Sequence, residues 1–305
     1  MHHEHHHHHH HSNQFSTSLI VAILLNLIFS MVEGGFAIIS HSMGLLADAG
    51  HNLADVLGLS LAWIANWIQA LRPSARYTYG YKRGTILAAL LNGFILVTLS
   101  AVVAYESILH FLHPMLVHEK IVITIAAIGI LVNGGSALLF LKGAHQDLNI
   151  KGAFLHLMSD ALTSVGVILA GIFILWTGKF WIDPLVGFLI VIMILWGTWG
   201  LLRDSLAFIL DAVPASVDEV AVKKFLENWP NVQAVHDLHI WGLSTQETAL
   251  TAHLILKEKF FTDVDYAEIN MALENQFKIH HATLQIEVGN ATQRCQRDGG
   301  CFQIE

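Results

Sequence analysis

The chain has 305 residues, 54% of them hydrophobic and 13% charged, with a formal net charge of −8. The charged fraction is about half that of an ordinary soluble domain, and there is no basic stripe along which nucleic acid would bind. The two cysteines, Cys295 and Cys301, both fall near the end of the chain, so no disulfide framework holds the fold.

The chain opens on a histidine-rich tail over 1–14, MHHEHHHHHHH in its first residues. Two readings of it stay open: a purification tag, or a native leader that gathers metal weakly. Six apolar runs follow, near 17–39, 45–70, 84–112, 119–142, 152–176 and 182–203. Each is long enough to cross about 30 Å of hydrocarbon at about 1.5 Å per residue. The first run has no charged leading region or obvious cleavage site, so it is expected to be a span rather than a signal peptide. Together the runs predict a six-helix transmembrane domain over 15–208.

Basic residues set the orientation. Arg72, Arg76, Lys82 and Arg83 follow the second run, Lys142 and Lys151 follow the fourth, and Arg203 follows the last. The opposite loops hold only Lys120 and Lys179. An excess of Lys and Arg marks cytoplasmic loops, so both termini are expected in the cytoplasm.

The second and fifth runs carry the chemistry. His51-Asn52-Leu53-Ala54-Asp55 and His156-Leu157-Met158-Ser159-Asp160 each place a histidine and an aspartate four residues apart, on one face of a helix. Ionisable groups at membrane depth are costly and mark ion or proton pathways. Two imidazoles and two carboxylates suffice for a tetrahedral zinc site. Asp48 lies one turn before His51 on the same face, but Ala153 stands at the matching position before His156. It is therefore read as a polar group near the outer mouth. Asn26, Glu33, Asn92, Glu106 and Asn133 are read as satisfying neighbours or lining wet cavities.

After Asp211 the pattern changes. Residues 216–228 and 264–278 read as amphipathic helices, and 234–242, 248–257 and 282–288 as strands. Leu250, Leu254 and Leu256 share one face, and Leu284, Ile286 and Val288 are expected inward. The order α-β-β-α-β predicts a small α+β domain over 209–290, a ferredoxin-like sandwich. The tail 291–305 is expected to be mobile.

The stretches HSMGLLADAGHNLADVLGL, YTYGYKRGTILAALLNG, GAFLHLMSDALTSVGVILAG and VHDLHIWGL are similar to those of the cation diffusion facilitator family of zinc transporters. The resemblance covers about residue 30 to residue 288. It implies a metallochaperone-like cytoplasmic domain, a homodimer in the lipid bilayer, and zinc export from the cytosol in exchange for protons. The location it suggests is the inner (plasma) membrane of a bacterium. The transport site it implies is His51, Asp55, His156 and Asp160. Relatives bind zinc in the cytoplasmic domain as well. His236 and His253 match ligand positions there, with Glu287, His239 and His281 as further candidates, whereas Gln285 departs from the pattern. No site is expected in the loop RPSARYTYGYK, which lacks the His and Asp cluster of some relatives. A membrane metalloenzyme or a metal sensor would use the same ligands. The first needs an open coordination position with a general base, the second a larger output domain. Neither is visible in the sequence.

Overall fold

The computed structural model describes residues 12–141, 148–258 and 260–288. The histidine tract, the tail from 291 and both cysteines lie outside the described residues, as does Lys142. Six long helices come first: α1 (Ser12–Ser40), α2 (Met43–Gln69), α3 (Gly84–Leu112), α4 (Glu119–Phe140), α5 (Leu148–Thr177) and α6 (Ile182–Ile209). Among the described residues, five helices are long and apolar enough to cross a membrane: all of these but α2. Helix α2 has a comparable length, 27 residues, and owes its polarity to Asp48, His51, Asn52 and Asp55.

The described residues form two compact units, one drawn from 12–61 and 91–200, the other from 62–90 and 201–288. In the first, Leu45, Val122, Val167 and Val191 form a buried core with Ala37, Ala54 and Ala126. Small residues let these helices approach closely. A Cβ on Gly187 of α6 would sit 2.8 Å from the backbone carbonyl of Met43, so only glycine fits there. The same contact fixes where α2 begins. Asp183 of α6 accepts hydrogen bonds from the Ser42 hydroxyl and the Met43 N–H. It thereby satisfies a donor that the start of a buried helix leaves open.

The second unit contains α7 (Glu219–Glu227), β1 (Val232–Gly242), β2 (Thr248–Leu256), α8 (Asp263–Phe277) and β3 (Ile279–Val288). The sheet order is β1-β2-β3. β1 runs antiparallel to β2, while β3 is parallel to it after the α8 crossover. Leu250, Ala252, Leu254 and Leu256 of the central strand pack with Val222 and Leu226 of α7 and Ile269 and Leu273 of α8. Leu284 and Ile286 pack against this core. Val288 differs from expectation: at the end of the edge strand β3 it is 42% exposed. β3 also begins three residues earlier than the sequence pattern suggests, because Lys278 at φ 59° ends α8 abruptly. In the same unit, the turn after α2 is tied down by ion pairs Lys82–Glu247 and Arg83–Asp211.

Candidate metal centre

The four residues marked by the spacing converge. His51 and Asp55 project from α2, His156 and Asp160 from α5. His51 Nε2 lies 3.4 Å from Asp55 Oδ2 and 3.5 Å from Asp160 Oδ1. His156 Nε2 lies 3.1 Å from Asp55 Oδ2 and 3.7 Å from Asp160 Oδ2. Imidazole and carboxylate therefore alternate around a closed ring, with the two imidazole centroids 6.0 Å apart. Ligand atoms about 2.0 Å from a tetrahedral ion lie about 3.3 Å from one another, and the four nitrogen–oxygen separations bracket that edge length; His51, Asp55 and Asp160 bring ligand atoms within 4.8 Å of one another, while His156 stands outside that group and would move inward to complete a tetrahedron. The same separations suit imidazolium–carboxylate pairs, so protons and a divalent ion would occupy one set of atoms.

The ring is open on one side. Its side chains range from 3% exposed at Asp160 to 45% at His156. A cavity of about 100 Å³ reaches Asp55, His156 and Asp160, with Asn26, Asn52 and Phe140 among its walls. The void on the far side of His51 is about 10 Å³, walled by Ala47, Leu96, Val103 and Ile194. That is barely the space of one water. The larger cavity lies toward the C-terminal half of α2, the smaller toward its N-terminal half.

A second group forms on one face of the sheet. His236, His253 and Glu287 come from β1, β2 and β3, with ligand atoms within 4.8 Å of one another. The register pairs His236 with His253 and His253 with Gln285. Glu287 Oε2 lies 3.2 Å from His236 Nε2, and Oε1 lies 3.1 Å from His253 Nδ1. Burial by itself would raise the Glu287 carboxyl. Hydrogen bonds from His236 and Gln285, with the charges of His236 and His253, outweigh it and hold the group below its ordinary range. Gln285 thus orients the acid, donating to Glu287 Oε1 at 3.0 Å.

His239 joins only indirectly. Its Nε2 is 3.1 Å from Asp237 Oδ1, and Asp237 Oδ2 is 3.4 Å from His253 Nε2. Asp237 was missed by the sequence reading. Strict alternation places it on the opposite face from His236, but the register shifts here and Asp237 sits at φ 50°. Such a bulge re-aims a side chain. The VHDLH stretch offered the residue but not the bulge. His281 lies outside the group. It is six residues from Glu287 along β3, roughly 20 Å at about 3.3 Å per residue, and its ring meets Tyr79 edge-on at 5.4 Å.

The cation efflux transmembrane domain family matches residues 19–210, and the cytoplasmic domain of cation efflux proteins matches residues 214–288. The "Cadmium, cobalt and zinc/H(+)-K(+) antiporter" of Bacillus velezensis is 36% identical over 259 residues, which is 83% of this chain and 82% of that protein. The "Zinc transporter ZitB" of Escherichia coli is 35% identical over 263 residues, 85% of this chain and 83% of its own. Among solved structures, the metal-bound C-terminal domain of the CzcD transporter from Cupriavidus metallidurans is similar at 33% identity. It covers 23% of this chain and 99% of its own, with a TM-score of 0.22. The chain is a membrane cation-efflux transporter rather than an enzyme, and it belongs to the cation efflux, or cation diffusion facilitator, family.

Proposed function

We propose that this protein exports zinc from the cytosol in exchange for protons, with His51, Asp55, His156 and Asp160 holding the ion in transit. The observation that carries this reading is the ring of two imidazoles and two carboxylates between α2 and α5, in which His51, Asp55 and Asp160 bring ligand atoms within 4.8 Å of one another and His156 pairs with both aspartates. Zinc takes nitrogen and oxygen ligands readily, whereas magnesium and calcium prefer oxygen alone.

In this account α2 is the sixth span, beside the five more apolar helices. Its polar face turns toward α5 rather than toward lipid. Both termini lie in the cytoplasm, and the membrane is the inner membrane of a bacterium, as the bacterial source of the relatives supports. The wider cavity then opens toward the cytoplasm and the tighter side faces outward, which is the arrangement that loads metal. With both aspartates ionised and both histidines neutral, an incoming divalent cation cancels the two negative charges. Once metal leaves, protons restore neutrality on the same atoms. Alternating exposure of the site to the two sides turns this competition into antiport. The sheet group His236, His253 and Glu287, reached by Asp237, serves as a regulatory zinc site in a ferredoxin-like, metallochaperone-like domain. Two copies of that domain pair in a homodimer.

Zinc uptake by liposomes containing the purified chain tests the site. Asp55→Ala and Asp160→Ala should each abolish flux while the protein remains folded in the membrane. Normal flux in either variant would remove that residue from the ion's path.

A further inference from the structure

Two more carboxyl groups lie within the helical unit, outside the ring of four. Glu33 of α1 and Asp48 of α2 are both 0% exposed. Glu33 Oε2 accepts a 3.3 Å hydrogen bond from the Asn52 amide, and Asp48 Oδ2 accepts a 2.7 Å bond from the Ser164 hydroxyl. Their other oxygens, Glu33 Oε1 and Asp48 Oδ1, are buried without a hydrogen-bond partner among the described residues. Helices α1 and α2 contain no lysine or arginine to offset them, and the basic group one turn from Asp48 on α2 is the metal ligand His51. Helix α4, which packs on α1 and α5, carries no charge beyond its first turn.

Two carboxylates cannot both stay ionised in such surroundings without a cation or a proton. Each has one oxygen engaged and one left over. A proton on either leftover oxygen supplies the missing donor. Hydrogen bonds tie the two carboxyls to each other and to the metal site: Asn52, which donates to Glu33, lies four residues after Asp48 and next to His51 on α2, and Ser164, which donates to Asp48, also bonds the Asp160 carbonyl at 3.3 Å.

We propose that Glu33 and Asp48 together form a proton-binding site separate from the metal ligands. The proposal rests on the reading of the protein as a proton-coupled exporter and adds a second place where the counter-ion is held. A divalent ion seated at His51 and Asp160 adds positive charge beside Asp48 and favours the ionised pair. One carboxyl O–H then breaks, and its proton leaves to solvent on the loading side. When the ion departs, the O–H forms again with a proton from the release side. No electrons move, and each cycle returns the pair to its starting state.

The test is to titrate the full chain, purified in detergent, with zinc chloride in weakly buffered solution, counting protons released per zinc bound. The double variant Glu33→Gln/Asp48→Asn should bind zinc with wild-type stoichiometry but release about one proton fewer per ion. Glu33→Asp, which keeps a carboxyl, should release the wild-type number. Wild-type release from the double variant would overturn the pair while leaving proton coupling intact. Loss of zinc binding in a folded double variant would also overturn it, since the pair would then be holding metal. If the wild-type protein releases no proton at all, the proton-coupled reading fails and the pair with it.

Discussion

At the scale of single residues, selectivity rests on which atoms face the ion. His51 brings one of two nitrogens to the ring, at 3.4 and 3.5 Å from its carboxylate neighbours. Replacing it by aspartate would give a third carboxylate, and oxygen ligands discriminate less sharply among divalent ions. His51→Asp should therefore lower the ratio of zinc to cadmium flux. An unchanged ratio in a competitive transport assay would take His51 out of the selectivity role. The sequence marks the four ring residues because a spacing of four is a statement about one helix face. Two such faces in apolar helices have few reasons to exist unless they meet. The buried pair Glu33 and Asp48 was not legible as a unit. They lie on different helices, and only packing reveals that each keeps an oxygen without a partner among the described residues.

At the scale of elements, helix starts and strand irregularities place the functional side chains. Gly187 lets α6 approach the first residue of α2 so closely that Asp183 can cap it. Gly187→Ala should force the two helices apart and cost about 1–3 kcal/mol, read as a lower thermal midpoint in detergent. An unchanged midpoint would mean that the helices do not touch there. Helix α8 starts with a capping box, Thr262 with Asp265. The Thr262 backbone N–H, then its hydroxyl, holds the Asp265 carboxyl below its ordinary range. A lowered value in the folded state means that the box stabilises at pH above the ordinary aspartate range, about 3.9. That contribution is lost as pH falls through the lower folded value. Thr262→Ala removes the hydroxyl donor and should move the Asp265 titration part of the way upward, followed by NMR. A midpoint that does not move would mean that the hydroxyl plays no part. Alternation marked the three strands but not the start of β3, the exposed Val288 or Asp237. A residue at φ 50° breaks the period of two, and the sequence carries no sign of it. His280 and His281 joined β3 for a similar reason, because the left-handed Lys278 stops α8 sooner than periodicity indicates.

At the scale of the whole molecule, two consequences follow from the proposed function. Zinc bound by His236, His253 and Glu287 would favour the paired form of the protein if it binds only that form. His236→Ala/His253→Ala should then abolish the zinc dependence of dimer stability, measured by light scattering of the full chain across a dilution series. Dimers equally stable with and without zinc in the wild-type protein would argue against a regulatory site. The larger consequence concerns coupling. His51 and His156 must be neutral to bind zinc, so acid on the loading side competes with the ion and acid on the release side helps discharge it. The most direct measurement is zinc flux across liposomes holding the purified chain, with a proton gradient imposed, collapsed by an ionophore or reversed. Export should rise when the release side is the more acidic and fall when the gradient is reversed. The same rate under all three conditions would mean that zinc crosses without returning protons, contradicting the antiport mechanism.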